Sequence, residues 1–421
     1  MKILVLFPQL PFPLDRGVFQ RNYHLLSQLS QRHELDLLAL DEGGERGRHA
    51  AKFQTLCERV EVVPFNHPAW PPLWPDRLLN PLPTTIAHWT IEPFATALDG
   101  MLANGNYDIV YVCDIVLAQY FVGQREGIPI IVDRSRVDLQ FQLTEHRNLE
   151  LSWKQQLLRG ENYLKLWRFE RAVLRRASMQ TVCGPDDVAF VRRYLGRDTP
   201  VEVVGNGVDL DFFHSAAAGE HRSRKPTVLF CGAMDYSANV DALAWYFDNI
   251  HEAAKRRTPD LEVWLVGKNP TPQVRQYGQL PGVHVTGEVP DVRPYYRRCW
   301  AQIVPLRIGC GTRLKIPESM AMGTPVVSTS IGAQGLGLKP DREICLADTA
   351  EAFVAQMTRI LHDTDFRTSL ETQGGKTVRE RWSWKHIGDR LNASLLKAGL
   401  VGQPAPVHPL IDSPCQPITL S

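Results

Sequence analysis

Short apolar runs recur along the first half of the chain, separated by longer stretches whose apolar positions repeat at helical spacing. Lys2 to Phe7, Leu35 to Leu40, Val60 to Val63 and Ile109 to Val112 read as strands buried on both faces. Ile130 to Val132, Met179 to Val182 and Val201 to Val204 continue the series. The helical pattern between them is clearest at Phe19 to Leu29 and Trp153 to Arg176. Buried strands alternating with helices predict a parallel, doubly wound sheet.

The pattern then begins again. Pro226 to Cys231, Leu261 to Val266, Val283 to Thr286, Ala301 to Val304, Pro325 to Ser328 and Glu343 to Leu346 form a second strand series. Asp209 to Lys225 is small, polar and unpatterned, and reads as a linker. The expected organisation is α/β. A Rossmann-like domain over 1–208 and a second over 226–384 face each other across a cleft, joined by the linker 209–225. Residues 385–400 form a last helix, and the proline-rich 401–421 are expected to be disordered.

Charge and cysteines narrow the function little but exclude some classes. Forty-seven Lys and Arg against 46 Asp and Glu leave a net charge of +1, which argues against a nucleic-acid binder. The eight cysteines form no C-x-x-C pair, which argues against structural zinc and for a reducing compartment. The N-terminal apolar run ends at prolines and is too short for a secretory signal. No stretch is long enough to span a bilayer, so a cytoplasmic protein is expected, with peripheral contact at the inner membrane face left open.

The densest chemistry lies between Val304 and Gly335. A strand runs into a loop holding Gly309 and Gly311, followed by a predicted helix from about Leu314 to Met322. Such a loop brings N–H groups and the positive end of a helix dipole to a sheet edge, a cradle for phosphate. Arg313 and Lys315 add cations, and Glu318 stands one turn on. Those groups suit a diphosphate attached to a ribose.

The run E-S-M-A-M-G-T-P-V-V from Glu318, with G-C-G-T-R-L-K ahead of it, resembles the donor signature of retaining GT-B glycosyltransferases of the family-4, or group-1, type. It matches their G-x-G-T-R-L-K-x-x-E variant; Cys310 stands where other members place a first glutamate. The resemblance implies a GT-B fold and transfer of a sugar from a UDP-, GDP-, ADP- or dTDP-sugar to an acceptor hydroxyl, with retention and without metal or cofactor. The acceptor would be a glycan, glycolipid or small molecule, bound by the first domain, with the donor in the second. Cys310, Gly311, Thr312, Arg313, Leu314, Lys315 and Glu318 would bind donor, Arg313 and Lys315 also stabilising the leaving diphosphate.

Further segments extend the likeness. F-C-G-A-M-D-Y-S around Gly232 resembles the loop that opens the donor domain. Gly267 and Lys268 follow a strand end, where Lys268 faces either base or solvent. Glu288 and Val289, in T-G-E-V-P-D-V, fall in the segment that lines the base pocket. G-N-G-V-D at Gly205 to Asp209 resembles a hinge whose Gly and Asn tolerate left-handed backbone. Near the start, P-F-P-L-D-R-G-V-F-Q-R-N suggests Gly17 beside the sugar phosphate, with Arg16 and Arg21 toward acceptor. Asp114 and Asp133 each end a parallel strand and so point at the cleft. Asp133 serves either as a polar contact near the reacting centre or as the N-cap of the segment from Ser135. Ala69 to Pro83, with Trp70 and Trp74, suits a partner or membrane surface.

Two other functions fit the same residues. A nucleotide-sugar epimerase would need acid and base carboxylates about the sugar. A non-catalytic donor-binding scaffold would account for Cys310.

Overall fold

The computed structural model describes residues 1–14, 16–66, 77, 79–123, 125, 127–147, 152–196, 200–214, 222–308 and 312–397. It divides into two compact units. The first holds Met1–Val204 and the chain from Gly388 through the last helix; the second holds Gly205–Ile387.

In the first unit, strands β1 (Lys2–Phe7), β2 (Glu34–Glu42), β3 (Arg59–Phe65), β4 (Ile109–Cys113), β5 (Ile130–Arg134), β6 (Met179–Val182) and β7 (Val201–Val203) form one parallel sheet. Their order is β3-β2-β1-β4-β5-β6-β7. β1, β4 and β5 are buried almost throughout, which is why they read as continuous apolar runs. The order reverses between β1 and β4, and ligands of such sheets bind at that switch point, beyond the strand carboxyl ends.

Two buried ion pairs fasten helices to β5. Arg21, on the helix Gly17–Ser30, forms a two-pronged bond to Asp133: Nε donates to Oδ2 at 2.9 Å and a terminal nitrogen to Oδ1 at 2.6 Å. Burial opposes a charge on Arg21, yet the Asp133 carboxylate holds the guanidinium above its ordinary value. The Thr181 hydroxyl also donates to Asp133. On the opposite face, Arg134 pairs with Glu170 of the helix Trp153–Arg176 at 2.9 Å. That long helix starts at a capping box: Ser152 Oγ accepts from Gln155 N, and the Gln155 side chain accepts from Ser152 N.

The second unit repeats the plan. β8 (Thr227–Cys231), β9 (Glu262–Val266), β10 (Val283–Gly287), β11 (Ala301–Val304), β12 (Val326–Ser328) and β13 (Cys345–Leu346) are parallel, in the order β10-β9-β8-β11-β12-β13. Its switch point lies between β8 and β11. The G-N-G-V-D turn differs from expectation, because none of Gly205, Asn206 and Gly207 has positive φ. Gly207 is needed for close approach instead: a Cβ there would sit 2.6 Å from the Trp384 ring.

The described cysteines, Cys57, Cys113, Cys183, Cys231, Cys299 and Cys345, are free and buried. Among the described residues no helix is long and apolar enough to cross a membrane, and no cluster of His, Cys, Asp or Glu could hold a metal.

Candidate functional site

At the switch point of the second unit, β8 runs into Gly232 and β11 leads to the helix Lys315–Ala321. The Lys315 ammonium donates to Asn239 Oδ1 at 3.0 Å and lies 4.4 Å from the centre of the Phe230 ring. Asn239 is itself oriented by donating to the Ala233 carbonyl at 2.8 Å. A Cβ on Gly232 would come within 2.9 Å of Lys315 Nζ and 3.0 Å of Asn239 Nδ2, so only glycine leaves room for this arrangement. Gly267 presses on the same point, since a Cβ there would lie 2.0 Å from the Gly232 carbonyl oxygen.

These contacts leave an ammonium whose described hydrogen-bond and ring partners are neutral. Burial, the largest influence, lowers Lys315 to about 8, with Arg313 acting in the same direction. Glu318, one turn on, is pushed up to about 7 by burial, against the opposing pull of Lys315. Cation and carboxyl share a helix face at i, i+3 spacing. The chemistry on offer is a desolvated cation, a hydrogen-bonding carboxyl and backbone approachable at Gly232. Asn206 adds a brace, its side-chain nitrogen donating to Thr312 Oγ1 at 2.8 Å.

The first unit carries a cavity of about 720 Å³. Arg16, Val18, Phe19 and Asn22 line it from β1 onward; Asp114 and Val116 line it after β4. His88, Trp89, Arg136 and Asp138 contribute further, as do Arg159, Asn162 and Tyr163 of the long helix. Asn162 Oδ1 accepts from Thr84 N at 2.9 Å, tying two walls together. Asp114 has φ +83, a left-handed conformation unusual outside glycine, and such strain gathers at functional positions. Its carboxyl is raised to about 6, chiefly by burial and next by Asp138.

The family described as "Glycosyl transferases group 1" matches residues 225–363, and "Glycosyltransferase Family 4" matches residues 16–212. The chain belongs to the group-1 glycosyltransferases. An uncharacterized 44.6 kDa protein in the cps region of Klebsiella pneumoniae is 21% identical to this glycosyltransferase over 278 residues, 64% of this chain and 72% of that one. Sucrose-phosphate synthase from Thermosynechococcus elongatus superposes with a TM-score of 0.70 at 18% identity, over 94% of this chain and 99% of its own. Anabaena HepE, solved in complex with UDP, gives 0.63 at 14% identity over 94% of this chain and 100% of its own. At such identities the likeness establishes the fold, which is GT-B.

Within this glycosyltransferase, Gly232, Gly267, Lys315 and Glu318 come together around the β8–β11 switch point. Thr312, Arg313 and Leu314 lead into the same helix. Lys268 follows Gly267, and its carbonyl accepts from Met234 N at 2.8 Å. Glu288 is exposed and Val289 buried beyond β10. Cys310 and Gly311 lie outside the described residues, as do Trp70, Trp74 and the proline-rich end.

In the first unit Arg16 and Asp114 line the cavity, and Gly17 opens the helix beside it. Arg21 and Asp133 require correction. Both are fully buried and bonded to each other, so neither presents a side chain to acceptor or reacting centre. Asp133 is no N-cap either, because the helix that follows runs Asp138–Arg147 and the Asp133 oxygens are spent on Arg21 and Thr181. Sequence reasoning missed Asn239, His88 and Arg159, and read Asn206 only as part of the hinge turn. Only the folded chain brings Asn239 to Lys315 and Asn206 to Thr312.

Proposed function

We propose that this glycosyltransferase transfers a sugar from a nucleoside-diphosphate donor to an acceptor hydroxyl with retention at the anomeric carbon, without a metal. The observation that carries the reading is the buried Lys315 ammonium, held at a switch point with Asn239 and the Phe230 ring as its hydrogen-bond and ring partners. A diphosphate gives it a strong anionic partner; Arg313 adds charge beside it, and the Glu318 carboxyl accepts from ribose hydroxyls. Gly232, packed closely by Gly267, lets phosphate approach backbone, with Lys268, Glu288 and Val289 beside the base. Uridine is the first base to test, because HepE was solved with UDP.

As the bond from the anomeric carbon to the diphosphate oxygen breaks, Lys315 and Arg313 stabilise the charge that collects on the leaving group. The acceptor oxygen bonds to the same face of that carbon, and its proton passes to the departing phosphate oxygen. Acceptor sits in the first unit's cavity, where Arg16 and Asp114 reach it and Gly17 opens the flanking helix.

The setting is glycan or glycolipid assembly at the cytoplasmic face of a membrane. The expected contact through Ala69–Pro83 falls mostly outside the described residues, but Leu79 is 81% exposed, just past an Arg77 anchored to Glu161. On the adjoining helix one stripe exposes Trp153, Leu157 and Leu164 and then carries Arg168, Arg171 and Arg175. Apolar groups beside cations suit an anionic lipid surface.

The test is incubation with UDP-, GDP-, ADP- and dTDP-sugars without acceptor. Slow release of free nucleotide from one of them supports transfer. An isomerised sugar indicates an epimerase, and binding without turnover a scaffold; either result overturns the reading.

A further inference from the structure

The first unit's cavity holds more positive charge than its own walls neutralise. Three arginines line it, Arg16, Arg136 and Arg159, against two carboxylates, Asp114 and Asp138. Arg136 is matched: its Nε donates to Asp138 Oδ1 at 2.9 Å. The other two are not. Among the described residues the Arg159 side chain makes no hydrogen bond or ion pair, and the Arg16 guanidinium only lies 5.7 Å from the centre of the Phe19 ring.

Arg159 is half-buried, on the helix Trp153–Arg176. A guanidinium has five donors and no acceptor capacity, so a cation here with no carboxylate on it is available to an anion that enters the cavity. The first turn of the helix Gly17–Ser30 lines the same cavity through Val18 and Phe19 and brings the positive end of its dipole. The rings of Trp89, Phe141 and Tyr163 also line the cavity, apolar faces for a sugar's C–H side. Asp114 and Asn162 offer polar atoms for hydroxyls, and 720 Å³ is ample for more than one sugar ring.

We propose that the acceptor of this cavity is an acidic saccharide: a ring seated against the aromatic wall, bearing a carboxylate or phosphate clamped by Arg16 and Arg159. The inference rests on placing acceptor in the first unit and specifies its chemistry. Guanidinium suits this role because its fork meets two oxygens of one anion at once.

The test uses the full chain with UDP present and three probes, methyl glucoside, methyl glucuronoside and glucose 6-phosphate, titrated by saturation-transfer NMR. At least one charged probe should bind roughly tenfold or more tighter than the neutral one, an advantage that added salt reduces. Arg159→Ala and Arg16→Ala should each narrow that gap, and the double variant should close it, while UDP affinity and melting temperature stay unchanged. A gap confined to the glucuronoside or to the phosphate names the anion. Equal binding of all three probes, no binding of any, or a preference that survives in the double variant overturns the proposal. Failure of UDP to bind the unmodified protein would strike the donor reading instead.

Discussion

Lys315 and its neighbours carry the argument at the scale of single residues. Gly232→Ala would thrust a methyl group into the ammonium and its Asn239 partner, at 2.9 and 3.0 Å. The expected outcome is a roughly tenfold or greater loss of UDP affinity, read by calorimetry, from losing a charged hydrogen-bond geometry. The pH dependence follows from two burial effects of opposite sense. Lys315 titrates near 8, so donor affinity should fall as pH rises past that value and the ammonium loses its proton. Glu318 titrates near 7, so affinity should also fall below that value as the carboxylate is neutralised. A bell with its maximum between about 7 and 8 is expected; a flat UDP affinity from pH 6 to 9 would contradict both roles. Lys315 and Glu318 were legible in the sequence because both belong to one local run. Asn239 lies far from that run in sequence and reaches Lys315 only across the β8–β11 crossover, so no local pattern could show it.

Among elements, β5 shows both what sequence can reveal and what it cannot. Its span was readable as an apolar run, and the remaining strands likewise fall where apolar runs were expected, since strands buried on both faces leave a continuous hydrophobic signature. Its polar end misled: a strand-end aspartate reads as a ligand contact, whereas Asp133 holds the helix Gly17–Ser30 to the sheet through Arg21. Removing one partner of a buried pair leaves the other uncompensated. Asp133→Ala should therefore cost about 3–5 kcal/mol and lower the melting temperature by roughly 10 °C. An Asp133→Ala protein that melts normally but has lost turnover would return this residue to the reacting centre.

Over the whole molecule, the two units supply different chemistry: a buried ammonium at one sheet's switch point, and an aromatic cavity with surplus arginines at the other's. The exposed stripe of the long helix adds a surface of its own. Trp153→Ser with Leu157→Ser should reduce co-sedimentation with phosphatidylglycerol vesicles several-fold. Pelleting equal to the unmodified protein would remove this face from membrane contact. The cavity itself was not legible in the sequence, because its walls come from the segments after β1 and β4, the start of the helix Gly17–Ser30, the segment around His88, the stretch from Arg136 and the long helix, brought together only by the fold.

The most direct measurement is a calorimetric UDP titration at pH 7.5 of the unmodified protein and of Lys315→Ala, each with its melting temperature recorded. Loss of the ammonium should weaken UDP by about 10- to 100-fold, the worth of a charged hydrogen bond, with melting unchanged. Equal affinity in the two proteins would show that the diphosphate is gripped elsewhere.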